Sequence, residues 1–200
     1  MYTREQVERV MRNKGYVYFT SDTDYDLNII GIRNSQTGTK VTNLFDDVLS
    51  VSFKLKGTWI YREWAITTDP GKRAVINYSN RQGVARLLTG QYRSSYSIGL
   101  HKGEYEALTQ KKEVKVYRDA NRDMVLNENK IQEGLFGINI HKAGTDTKFV
   151  ENYSEGCQVF KRTQDFNEFM RICKEASKIH GNAFTYTLLE SKDFENPPII

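Results

Sequence analysis

Apolar residues near the start of the chain fall at helical spacing and then change period. Val7, Val10 and Met11 share one helical face, Thr3 and Gln6 have the spacing of a capping box, and Gly15 supplies a stop. Together they predict a short amphipathic helix from Thr3 to Asn13, bracing the N-terminus over residues 1–15. From Tyr16 to His141 short β-branched and aromatic runs alternate with Asp, Asn, Gly and Pro. This patterning predicts strands at Asn28 to Arg33, Val48 to Leu55, Trp59 to Thr67, Val114 to Tyr117 and Phe136 to His141. Asp69, Pro70 and Gly71 mark a turn. Thr163 then caps a helix to about Ile179, closed by Gly181, and a strand follows from Phe184 to Leu189. Residues 191–200 read as a tail, and no internal repeat appears. The expectation is one mostly β (α+β) domain spanning residues 1–200, with two peripheral helices.

Composition narrows the classes of partner. At 200 residues, 38% hydrophobic and 12% aromatic, the chain can bury one substantial core. Its 29 basic and 25 acidic residues leave a scattered charge of +4. With no block of like charge and no aromatic-basic stripe, no nucleic-acid partner is expected. No apolar run approaches membrane-span length, so no membrane partner is expected either. Met1 to Lys14 is rich in Arg and Glu and lacks the apolar core of a signal peptide, which predicts a chain without a secretion address.

The candidate chemistry lies between Phe136 and Phe160. Phe136, Ile138 and Ile140 alternate with Gly137, Asn139 and His141, which places Asn139 and His141 on the polar face of a half-buried strand. After fifteen intervening residues comes Cys157, preceded by Ser154, Glu155 and Gly156. A thiolate is a strong nucleophile, and a neighbouring imidazole is a common means of generating it. Gly156 is expected to leave room for a substrate backbone, with the N–H groups of Glu155, Gly156 and Cys157 aimed at a developing oxyanion. The other cysteine, Cys173, is in helical register with Phe166, Phe169, Met170 and Ala176 and reads as a core residue, so no disulfide is expected.

The histidine at a strand end, the variable loop and the Ser154-x-Gly156-Cys157 sequence resemble the L,D-transpeptidase (YkuD-like) catalytic domain, in a divergent phage-associated form. The resemblance covers roughly residues 90–190. It departs at Lys142, where the family usually has Gly or Ser, and at Gln158 and Val159, where a branched residue and Arg are common. It implies a β-sandwich-like fold and a cysteine peptidase or transpeptidase acting on peptidoglycan stem peptides without a cofactor. Cys157 and His141 would be catalytic, and Ser154, Glu155, Gly156 and Asn139 would serve the oxyanion or substrate. A protein of this type without a signal would work from the host cytoplasm or the virion. The alternative is a non-catalytic phage structural or wall-binding protein that keeps the fold.

The remaining constellations read more plainly. Asp119, Asn121 and Asp123 have calcium-loop spacing, but Met124 and Lys130 stand where a glycine and a bidentate carboxylate are required, so a polar turn is expected. The three histidines and Cys157 have no tight metal-ligand spacing, which leaves a zinc peptidase as a minor option. His101 reads as a surface or structural residue that could alternatively line the cleft, and His180 as a residue meeting the last carbonyls of its helix.

Overall fold

In β2 (Asp47–Leu55), Leu49, Val51 and Phe53 are buried toward the main core, while the preceding Val48 packs in a second cluster on the other face. This two-residue period recurs in β11 (Phe184–Glu190), where Phe184, Tyr186 and Leu188 face the main core and Leu189 faces away. Strands buried on both faces need a partner layer outside, and the N-terminal helix α1 (Arg4–Asn13) provides it. Its Val7, Val10 and Met11 pack with Ile30, Ile32 and Leu189. Thr3 caps it as the sequence predicts, with both capping-box hydrogen bonds to Gln6 formed.

The computed structural model describes residues 1–127, 130–144 and 146–195. The further elements are β1 (Asn28–Arg33), β3 (Thr58–Thr67), α2 (Lys72–Ile76), β4 (Val84–Leu87), β5 (Gly90–His101), β6 (Tyr105–Gln110), β7 (Val114–Asp119), β8 (Lys130–Gly134), β9 (Ile140–Lys142), β10 (Gln158–Phe160) and α3 (Thr163–His180). Eight strands close into a barrel in the order β1-β11-β5-β6-β9-β10-β3-β2, and β4-β7-β8 form a separate three-stranded sheet. Closure removes free strand edges from the barrel, which an open sandwich would retain. Two of the barrel pairings, β1 with β11 and β9 with β10, are parallel. The small sheet is not a separate unit: its Ala85, Leu87, Val114 and Val116 share the main core with the barrel and with Phe166, Phe169 and Cys173 of α3. No described helix is long and apolar enough to cross a membrane.

Several boundaries move from their predicted places for identifiable reasons. Phe136–Asn139 is not strand, because the N–H groups of Phe136 and Ile138 go to Oε1 of Gln110 at 3.1 and 2.9 Å and Gly137 turns at φ 70°. The strand is only Ile140–Lys142. Thr163 is the first helical residue of α3, and Arg162 occupies the cap position. His180 reaches Asp24 O at 2.9 Å and does not cap its own helix. The predicted tail is anchored through Glu195: Phe194 packs on Tyr2 at 4.4 Å, and Ser191 bonds Ser35. Its last five residues, 196–200, lie outside the described residues.

Inside the barrel Tyr186 donates to Gln158 Oε1 at 2.8 Å, linking β11 to the strand that follows Cys157. Gly31 makes room for that phenol, since a Cβ there would stand 1.9 Å from Tyr186 Oη. Gly31→Ala is therefore expected to lower stability by about 1–3 kcal/mol in urea denaturation. A change under about 0.5 kcal/mol would show that Tyr186 moves aside freely.

Candidate active site

The parallel pairing of β9 with β10 brings the two candidate residues together. Ile140 is in register with Gln158 and His141 with Val159, so the two-residue alternation puts Asn139, His141 and Cys157 on one face. All three line a single cleft of about 470 Å³, together with His101, Lys102, Arg118 and Glu155. The chain between His141 and Cys157 is stapled down at Asn43, whose Oδ1 accepts the N–H of Glu151 at 2.8 Å and that of Lys72 at 2.9 Å. Gly71 N donates to Ser154 O at 3.0 Å.

Two imidazoles meet in this cleft. His101, at the end of β5, stacks on His141 with ring centroids 4.0 Å apart and planes inclined by 20°. Nδ1 of His141 lies 2.8 Å from Lys142 O, which can only accept, so this nitrogen carries the proton and Nε2 keeps its lone pair. Tyr105 Oη also donates to Lys142 O, at 3.3 Å. Asn139 is fixed from the other side: its Oδ1 accepts Gln110 N–H at 2.9 Å, so its Nδ2 donates to His101 Nδ1 at 3.0 Å. Asn139 thus orients His101, whereas Lys142 O orients His141.

The glycine and serine before the thiol are committed to the protein itself. Ser154 is buried, and its Oγ donates to Cys157 O at 2.8 Å while accepting Gly156 N–H at 3.1 Å. The Gly156 N–H is therefore not presented to a substrate, and Ser154 braces the turn without lining the cleft. The close approach that demands glycine is made by β4: a Cβ on Gly156 would stand 2.4 Å from Ala85 O, at a backbone φ of 139°. Glu155 does reach the cleft, where Ser79 Oγ donates to its carboxylate at 2.7 Å.

Burial sets the charge state of the pair. It pushes the half-buried Cys157 thiol up to about 11, against the opposing pull of the Asn139 backbone and of Lys102. Burial, with His101 as the second cause, lowers His141 to about 3. His101 is lowered in the same direction by burial and Lys102. At neutral pH the resting state is thus thiol and imidazole, not the thiolate and imidazolium that the sequence suggests. Sγ donates to Gly137 O at 3.3 Å in this state. Cys173 is fully buried, and both cysteines are free.

Little in the sequence singles out His101 for the site. The signal available was the tight turn at Lys102 and Gly103, both at positive φ, which ends β5 at His101 and returns the chain as β6. Among the described residues no group of three or more His, Cys, Asp or Glu is placed to hold a metal ion. Near the calcium-like spacing, Asp123 instead accepts Val125 N at 2.8 Å in a polar turn. Comparison with family models, curated proteins and solved structures finds no match to this chain.

Two outcomes follow from this geometry. Gly156→Ala is expected to cost at least ~2 kcal/mol of stability, through positive φ and the clash with Ala85 O, with an unfolding midpoint shift as the readout. An unchanged midpoint would mean that β4 yields. Between pH ~3 and ~6.5 the unfolded chain binds a proton at His141 that the native chain excludes, so stability should fall as pH drops through that window. The contribution is at most ~5 kcal/mol. His141→Gln should flatten the slope of unfolding free energy against pH, and an unchanged slope would contradict burial of a neutral His141.

Proposed function

We propose that the protein is a cysteine acyl-transferase or hydrolase of the L,D-transpeptidase type, acting on peptidoglycan stem peptides, with Cys157 as nucleophile and His141 as base. The observation that carries this reading is the shared cleft face of Cys157 and His141, with the imidazole proton held on Nδ1 by Lys142 O. That tautomer leaves Nε2 able to take the thiol proton as Sγ attacks a peptide carbonyl. Because both groups rest neutral, proton transfer accompanies attack and does not precede it.

The carbonyl attacked would be that of the L-centre of a diamino acid in a tetrapeptide stem. Collapse of the tetrahedral intermediate breaks the C–N bond, and the departing terminal D-amino acid takes the proton from His141. A thioester on Cys157 remains. An amine from another stem would displace the thiol to give a cross-link, and water would give the free acid, Sγ regaining a proton in either case. With Gly156 N–H bound to Ser154, the N–H groups of Glu155 and Cys157 are the members of the expected trio assigned to the oxyanion. The L,D-transpeptidase-like fold belongs to the same proposal, supported by the mostly β architecture and by the order of His141, loop and Cys157.

Incubation with defined muropeptides followed by mass spectrometry tests the reading. Loss or exchange of the terminal D-residue is expected, abolished in Cys157→Ala and reduced about 10²-fold or more in His141→Ala. Retained turnover in Cys157→Ala would place the chemistry elsewhere. Absence of any product together with binding to sacculi would favour the non-catalytic wall-binding protein.

A further inference from the structure

Three arginines of this fold are nearly buried, and they are treated differently. Arg33 and Arg86 share Asp69, at 3.1 and 2.8 Å. Asp69 stays below the usual carboxylate range because the two guanidinium groups outweigh its burial. Arg118, only 8% exposed, has no such partner among the described residues. Its Nε donates to Gln132 Oε1 at 2.9 Å, its Nη1 donates to Gly83 O at 3.2 Å, and its guanidinium lies 4.9 Å from the centre of the Phe136 ring. All three contacts are neutral. The Glu155 carboxylate, held by Ser79, attracts Arg118 from beyond ion-pair distance, but burial outweighs that attraction and keeps the guanidinium below its usual range. A buried guanidinium ordinarily has a carboxylate partner, because the lost hydration of its charge is otherwise uncompensated.

Arg118 also lines the cleft, and the backbone places it close to the thiol. It pairs with Ala85 across β4 and β7. Ala85 N in turn donates to Glu155 O at 2.8 Å, and the Ala85 backbone is what Gly156 abuts. The strand carrying Arg118 is thus one strand spacing, about 5 Å, beyond the strand that touches the Cys157 turn.

We propose that Arg118 is the carboxylate anchor of the cleft, binding a carboxylate that the substrate peptide carries within about one residue of the carbonyl attacked by Cys157. This inference rests on the assignment of Cys157 as nucleophile. The planar guanidinium fork offers two N–H donors to one carboxylate, and the burial of Arg118 strengthens the contact. A stem peptide has two sources for that group: the α-carboxylate of its terminal residue, and the side-chain carboxylate of its diamino acid where one is present.

The test compares peptides on the wild-type protein and on Arg118→Gln and Arg118→Lys. One arm pairs an N-acetylated tetrapeptide stem with its C-terminal amide. The other pairs a stem containing a diamino acid that bears a side-chain carboxylate with one containing lysine. Each peptide is scored by kcat/KM and, independently of turnover, by how far it slows alkylation of Cys157 by iodoacetamide. The wild type should prefer the carboxylate form by roughly 10- to 100-fold in at least one arm, and that arm names the source. Arg118→Gln should erase the preference, and Arg118→Lys should keep only part of it. Equal protection by acid and neutral forms in both arms, or a preference that survives Arg118→Gln, would overturn the proposal. If Arg118→Gln fails to fold, Arg118→Lys carries the test, and a preference it leaves undiminished would overturn the proposal. Arg118-dependent protection without turnover would sink the enzyme reading alone, whereas turnover without a carboxylate preference would sink this inference alone.

Discussion

The parallel pairing of β9 with β10 is the constraint on which the site depends. Adjacent parallel strands cannot be joined by a tight turn; the chain must leave, cross and return in the same direction. Here the crossover is the fifteen-residue stretch between His141 and Cys157, and it is held by a hydrogen bond donated to Asn43 and one accepted from Gly71. Its apolar residue Val150 packs with Phe45, Ala143 and Val159. This return sets the register that puts Cys157 and His141 on one face, and it turns Gln158 into the barrel, where Tyr186 fixes it. The same wall that confines the thiol turn, β4, pairs with the strand carrying Arg118.

The electrostatics of the cleft follow from that enclosure. Desolvation keeps Cys157 a thiol and His141 a neutral base, and the stacked His101 adds to the cost of a positive charge on His141. Under the proposed function such a site would be quiet in the absence of substrate and would gain its reactive state only as a carbonyl approached. The charge that remains in the cleft belongs to Lys102, Glu155 and Arg118, on the walls and not on Cys157 or His141.

The parts of the fold legible in the sequence are those where burial follows a simple period. β1 was readable to the residue, and β2, β3 and β11 to within one position at an end, because their apolar residues alternate or run uninterrupted. α1 carried its own capping box. The elements that could not be read were β4, β5, β6, β8, β10 and α2; in β5, Ser94 at φ 49° breaks the alternation and serines occupy buried positions, which hid His101. Barrel closure was equally hidden, since it depends on β1 meeting β11 across most of the chain. In the site, the pairing of His141 with Cys157 was suggested by residue type and spacing. The roles of Gly156 and Asn139 were not, because each is decided by a distant partner, Ala85 for the glycine and His101 and Gln110 for the asparagine, while Ser154 turns back onto its own loop at Cys157 O and Gly156 N–H. Arg118 was invisible for the same reason, its neutral partners lying on β8 and before β4.

The central claim is that Cys157 forms a covalent acyl bond with a peptide carbonyl inside this cleft. Its most direct test is acid-quenched peptide mapping of the protein after brief exposure to a tetrapeptide stem. The account predicts a hydroxylamine-labile acyl mass on the peptide containing Cys157, absent from the one containing Cys173. Product formation with Cys157 unmodified at every quench time, undiminished in Cys157→Ala, would contradict it.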